Sequence, residues 1–198
     1  MTRTEQILQL ARQQGIIRAE DVEAAGITRN YLYQLHRQGL LVRESRGIYA
    51  LPDAATTEHS LLAQVAKRVP RSVVCLLSAL SFHQLTTQLP HEVWIAVPRA
   101  SWRPKIDYPP LKLTYLSGES YRHGIQQHLL NGVMVQCYSP AKTVADCFKF
   151  RNKVGVDVAI EALRECWRER RASIDELMAA AEINRVAGIM RPYLEAIV

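Results

Sequence analysis

Between Thr28 and Arg46 the chain sets hydrogen-bonding side chains at helical spacing with a single acid among them. Asn30, Tyr33, Gln34 and Arg37 stand at i, i+3, i+4 and i+7 within the stretch ITRNYLYQLHRQG. A helix turning about 100° per residue brings them to one side. That side offers an amide pair, a phenol and a guanidinium, groups that donate to and accept from base edges in a major groove. Thr28, Leu32, Leu35 and Gly39 fall on the opposite side as a seam for neighbouring helices. Thr28 reads as the N-cap and Gly39 as the C-terminal stop. Taken alone, the same pattern also describes an ordinary solvated helix surface.

What surrounds the stretch decides between the two. After Gly39 come LLVR and IYAL on either side of ESRG, two short β-rich runs around a glycine-containing turn. A basic hairpin directly behind a recognition-type helix is a wing, and Arg43 and Arg46 would reach phosphates or the minor groove from it. Upstream, Ala19 to Ala25 reads as a short helix ended by Gly26, which meets helix-turn-helix spacing. Thr4 to Gln14 supplies a first helix that buries Ile7, Leu8, Leu10 and Ala11. Residues 1–52 are therefore expected to form a winged helix-turn-helix DNA-binding domain. Its candidate DNA-contact set is Thr28, Arg29, Asn30, Tyr33, Gln34, Arg37, Arg43 and Arg46.

The whole chain of 198 residues is long enough for one large or two small domains, and 48% apolar residues suffice for a packed core. A net charge of +6 leans toward nucleic acid without proving it. From Thr28 to Gly47 four arginines face one glutamate, a local balance of +3 placed where a DNA-binding surface needs it. The N-terminus lacks the apolar stretch of a signal peptide, and no run approaches the ~18 apolar residues of a membrane span. A cytoplasmic protein is expected. The four cysteines, Cys75, Cys137, Cys147 and Cys166, lack C-x-x-C spacing and sit in apolar surroundings. They read as buried reduced thiols rather than metal ligands.

Residues 53–198 read as a second, α+β domain with a small, mostly antiparallel sheet and a helical C-terminal end. Pro52 to Thr56 looks like a linker, Glu58 to Val69 a helix, Val73 to Leu77 a buried run, and Ser78 to Leu85 a shorter helix. Strands are expected at His91 to Val97 and Leu111 to Leu116. Ile125 to Leu130 and Val133 to Tyr138 form a hairpin whose Asn131-Gly132 favours a type I′ turn. Ser139-Pro140 opens a helix running through AKTVADCFKF. Further helices are expected over Val156 to Arg168, from the Ser173 cap, and from Asn184 to Ile197, where Pro192 should kink or break the helix. Between the two lone strands lies Pro98 to Pro110, with four prolines and hence no regular structure. It carries Arg99, Arg103 and Lys105 among Trp102 and Tyr108. Either it adds non-specific DNA or RNA affinity, or Trp102 packs on its own domain.

Catalytic chemistry finds little support. His91-Glu92 lacks the second histidine of a zinc-protease motif, the one pair of acids separated by a single residue is Asp21-Val22-Glu23 inside the expected short helix, and no glycine-rich phosphate loop occurs. Ser78 with His83, or Cys75 with His91, could be drawn as nucleophile and base, but neither sits in a local motif. Asp107, Asp146 and Glu92 make a nuclease centre only if the fold is assumed. No enzyme, no metal and no cofactor is expected.

The blocks GIIRAEDVEAAGITRNYLYQLHRQGLLVRESRGIYALPD, LLSALSFHQLTTQLPHEVWIAVPR and YSPAKTVADCFKFRNKVGVDVAIEALR resemble, in order and spacing, the antitoxin of the abortive-infection AbiE system, a type IV toxin–antitoxin pair. The resemblance spans nearly the whole chain. It implies a bacterial transcriptional repressor of its own operon that binds operator DNA, inverted repeats near its promoter. It also implies that the protein counters a nucleotidyltransferase-like toxin encoded beside it, without a stable inhibitory complex. It implies no specific role for the Ser139–Phe148 block, which otherwise reads as a capped core helix. Two other readings stay open: a solitary winged-helix regulator whose C-terminal domain senses a ligand or protein, and a DNA-acting enzyme targeted by its winged helix.

Overall fold

The computed structural model describes residues 2–53 and 59–198. They fall into two compact units: the chain up to Pro70 together with Leu129–Val135, and Arg71–His128 together with Gln136–Val198. The chain is α+β, with a three-stranded antiparallel sheet in the N-terminal segment and a five-stranded mixed sheet beyond it.

In the first unit, α1 (Arg3–Gln14) starts with a capping box. Thr2 Oγ1 accepts from the Glu5 amide at 3.2 Å, and the Glu5 carboxylate accepts from the Thr2 amide at 2.7 Å. Strand β1 (Ile16–Ile17) follows, then α2 (Ala19–Ala24), whose Asp21 accepts from the Arg18 amide at 2.7 Å. After Gly26 comes α3 (Asn30–Arg37), then β2 (Val42–Ser45) and β3 (Ile48–Ala50). β1 pairs antiparallel with β3, giving the order β1-β3-β2. The first strand was not foreseen, because two residues carry no periodicity to read. Ile7, Ala11, Ile17, Val22, Ile27, Leu32, Leu35, Leu41 and Tyr49 close one apolar core. Helix α4 (Ser60–Arg68) belongs to this unit. Of the expected linker and helix start, residues 54–58 lie outside the described residues.

The second unit runs β4 (Val73–Val74), α5 (Leu76–Phe82), β5 (Val93–Pro98), β6 (Leu111–Leu116) and the short α6 (Glu119–Arg122). Strands β7 (Ile125–Leu130) and β8 (Val133–Tyr138) then form the expected hairpin. Asn131 and Gly132 at its turn have φ of 49° and 74°, as a type I′ turn requires. Sheet order is β6-β5-β4-β8-β7, with β4–β5 antiparallel and both β5–β6 and β4–β8 parallel. The parallel pairs are the part of the pairing that local sequence did not announce. Helices α7 (Pro140–Lys149), α8 (Arg151–Val154), α9 (Val156–Arg168), α10 (Ile174–Ile183) and α11 (Ala187–Glu195) complete the chain. Pro192 sits inside α11 without ending it. The buried stripe of α9 is Val158, Ala159, Ala162, Leu163 and Cys166, while Val156 is exposed. Leu76, Leu80, Trp94, Tyr138, Val144, Phe148 and Leu177 are among the side chains of this unit's core.

Candidate nucleic-acid interface

Helix α3 owes its two-sidedness to Leu32 and Leu35, at 2% and 1% exposure, which anchor it to the core. The rest of its surface is left to solvent. Asn30, Tyr33, Gln34 and Arg37 are all exposed, Tyr33 by 58%. Two details differ from the sequence reading. Thr28 and Gly39 are exposed and take no part in the buried seam, which Ile27 completes instead. The N-cap is Arg29, without a side-chain cap; the Thr28 carbonyl accepts from the Tyr31 amide at 3.1 Å. Thr28 is therefore free of the capping role, because the first turn is closed by backbone groups.

The other end is closed by a Schellman arrangement. Gly39, at φ 73°, donates its amide to His36 O at 3.0 Å, and the Leu40 amide reaches Leu35 O at 2.9 Å. Arg37 lies in the last turn, where the helix dipole favours a cation.

The wing presents Arg43 on β2 and Arg46 in the turn, both exposed, as Arg29 is. Arg43 stands opposite the buried Tyr49, and the register shifts between Arg43 and Ser45. A guanidinium from α4 braces this hairpin. Arg68 donates to Ser45 Oγ at 2.8 Å and to the Arg46 carbonyl at 2.6 Å, while Ser45 Oγ donates to the buried Gln64 at 2.9 Å. Lys67, also on α4, contacts Asp21 of α2 at 3.1 Å and Gln14 of α1 at 2.9 Å. The positioning residues Gln64, Lys67 and Arg68 escaped sequence reasoning, since nothing local in α4 announces partners so far back in the chain. The elements that present the eight candidate residues are thus held together as far as Arg68, past the 52/53 boundary drawn from sequence.

The Ser139–Phe148 block holds a different surprise. Ser139 caps α7 by accepting from the Lys142 amide at 3.3 Å, as its sequence implied. All of Ala141 to Phe148 is buried, including Lys142 and Asp146. Lys142 Nζ donates to Asp146 Oδ1 at 2.5 Å, Asn184 Nδ2 donates to the same oxygen at 2.8 Å, and the ammonium lies 4.2 Å from the centre of the Tyr138 ring. Burial pushes the Asp146 carboxyl up from its ordinary range, and Lys142 and Asn184 pull it part of the way back.

The residues once paired as nucleophile and base are otherwise engaged. Ser78 Oγ accepts from the Trp94 amide at 2.9 Å. His83 Nε2 donates to the Tyr138 carbonyl at 2.7 Å. Cys75 is buried, its thiol pushed far up by desolvation, while His91 is exposed. Asp146 is bound to Lys142 and Asn184, whereas Asp107 is exposed and Glu92 lies 4.0 Å from Lys112. Among the described residues no group of three or more His, Cys, Asp or Glu side chains could hold a metal, and no helix is long and apolar enough to cross a membrane.

Comparison with known proteins bears on both units. No curated protein matches the chain. A solved structure, that of the RV2827C protein from Mycobacterium tuberculosis, is similar with a TM-score of 0.61 over 98% of this chain and 81% of that one, at 13% identity. That likeness is one of fold. Residues 5–52 match the family model described as a transcriptional regulator, AbiEi antitoxin. That match covers the N-terminal segment that carries α1, the helix-turn-helix and the wing, which is therefore similar to the AbiEi antitoxin family of transcriptional regulators.

Proposed function

We infer that the protein is a sequence-specific DNA-binding repressor in which α3 reads the major groove and the wing grips the backbone. The observation that carries this is that Thr28, Arg29, Asn30, Tyr33, Gln34, Arg37, Arg43 and Arg46 are all exposed, those on α3 opposite the buried Leu32 and Leu35. The family matched by residues 5–52 supports a regulator. Asn30, Gln34 and Arg37 are the base-reading groups, Tyr33 contributes apolar and phenolic contact, and Arg43 and Arg46 contact phosphates. The finer reading extends the family's description to this chain: autorepression at inverted repeats in its own promoter, and antagonism of a nucleotidyltransferase-like toxin. The second unit then serves antitoxicity or assembly in the cytoplasm, without cofactor or enzyme activity.

Gel shifts on the DNA upstream of the gene, at several salt concentrations, test the groove assignment. Arg37→Ala should cost about 1–3 kcal/mol on operator DNA if it reads a base. Arg46→Ala should weaken specific and random DNA alike and reduce the salt slope by roughly one unit. Wild-type binding by both variants would refute the assignment.

A further inference from the structure

We propose that the loop between β5 and β6 is a second nucleic-acid site, one that takes single-stranded rather than duplex chains. Trp102 is 94% exposed, so it does not pack on its own domain. An indole left in water contributes no burial energy to the fold and leaves both faces of its ring open to a ligand. Arg99, Arg103 and Lys105 are exposed beside it in sequence, and none of the three has an ion-pair partner among the described residues. Tyr108 adds a second aromatic ring at 52% exposure.

The loop is fixed at both ends. The Arg99 amide donates to Leu116 O at 2.8 Å and the Val93 amide to Pro110 O at 2.8 Å. A turn from Ser101 N to Pro98 O, at 2.8 Å, aims the segment directly before Trp102. Prolines 98, 104, 109 and 110 restrict the rest. An aromatic on a stiffened loop loses little conformational freedom on binding. Three cations with an exposed ring match a polyanion whose bases are unstacked and can lie on the indole, a face that a duplex does not offer. The site lies on the second unit and stands independently of the role assigned to α3.

The test is fluorescence anisotropy of the full chain with a labelled mixed-sequence DNA single strand of about 15 nucleotides, beside the operator duplex. Trp102→Ala should weaken the single strand about tenfold and leave operator affinity unchanged. Trp102→Phe should restore most of the loss. Replacing Arg99, Arg103 and Lys105 together by Gln should lower the single-strand salt slope by about two units. The proposal falls if Trp102→Ala binds the single strand like wild type. It also falls if that variant loses heparin binding equally, which would make the site a charge patch. Binding of anionic phosphatidylglycerol vesicles through Trp102 in place of the single strand would overturn it too. A wild-type chain that ignores the operator yet shows the tenfold effect would sink the major-groove reading and leave this one standing.

Discussion

Lys142 and Asp146 face each other where no water reaches, with Asn184 as the third member. A buried pair of this kind is worth little over a well-packed apolar pair, but removing one partner strands the other charge. Lys142→Met should therefore cost about 3–5 kcal/mol in urea denaturation, and adding Asp146→Leu should recover much of it. Equal instability of single and double variants would show that shape, not charge, decides the site. The i, i+4 spacing of this pair looks like an ordinary surface salt bridge in sequence; the packing of α5, α9 and α10 against α7 is long-range, and no local pattern reports it. A second buried group sets a pH dependence. Burial lowers the His83 pKa from 6.5, helped by His128 and Arg171 nearby, and its Nε2–H is held by Tyr138 O. The folded chain favours neutral imidazole, so this contribution is complete above the unfolded value and is lost as pH falls through the depressed one. Melting temperature should hold above pH 6.5 and drop below it, and His83→Gln should flatten that drop. His128, also lowered by burial, contributes in the same direction.

At the scale of elements, two glycines separate local from long-range causes. Gly39 takes φ 73° and a Cβ there would meet nothing within 4 Å, so Gly39→Ala should cost only the left-handed backbone penalty, about 1 kcal/mol. Gly132 takes φ 74°, and its Cβ would come within 2.5 Å of the Gln14 carbonyl carbon at the end of α1. Gly132→Ala should therefore cost about 2–4 kcal/mol, and chemical denaturation of both variants compares the two directly. The first position was legible: RQG after an amphipathic stretch announces a helix stop, as Asn131-Gly132 announces a turn. The close approach of that turn to α1 was not, since it joins residues far apart in the chain. The same division runs through the candidate interface. Exposure of Asn30, Tyr33, Gln34 and Arg37 follows from helical spacing, whereas the Arg68 brace on the wing and the parallel β5–β6 pair depend on contacts that no window of sequence contains.

Among the described residues one apolar core lies within residues 7–51 and another within residues 73–194. Cutting at residue 52 would leave α4 on the wrong side, because Gln64, Lys67 and Arg68 bind back to α1, α2 and the wing. A cut after Pro70 respects those ties but still removes Leu129–Val135 from the first unit. Residues 71–198 keep nearly all of the larger core and should fold alone, while binding no operator. Residues 1–70 keep every candidate DNA-contact side chain yet lose the hairpin tip, so they should bind the operator only below a melting temperature lower than that of the intact chain. Trp94, Trp102 and Trp167 all lie in the second unit, and the first contains tyrosines but no tryptophan. Tryptophan emission therefore follows unfolding of residues 71–198, and operator anisotropy follows the first unit. Anisotropy lost at lower urea than emission would establish two folding units of unequal stability. Coincident transitions in the intact chain, with neither fragment folding, would instead establish a single cooperative folding unit.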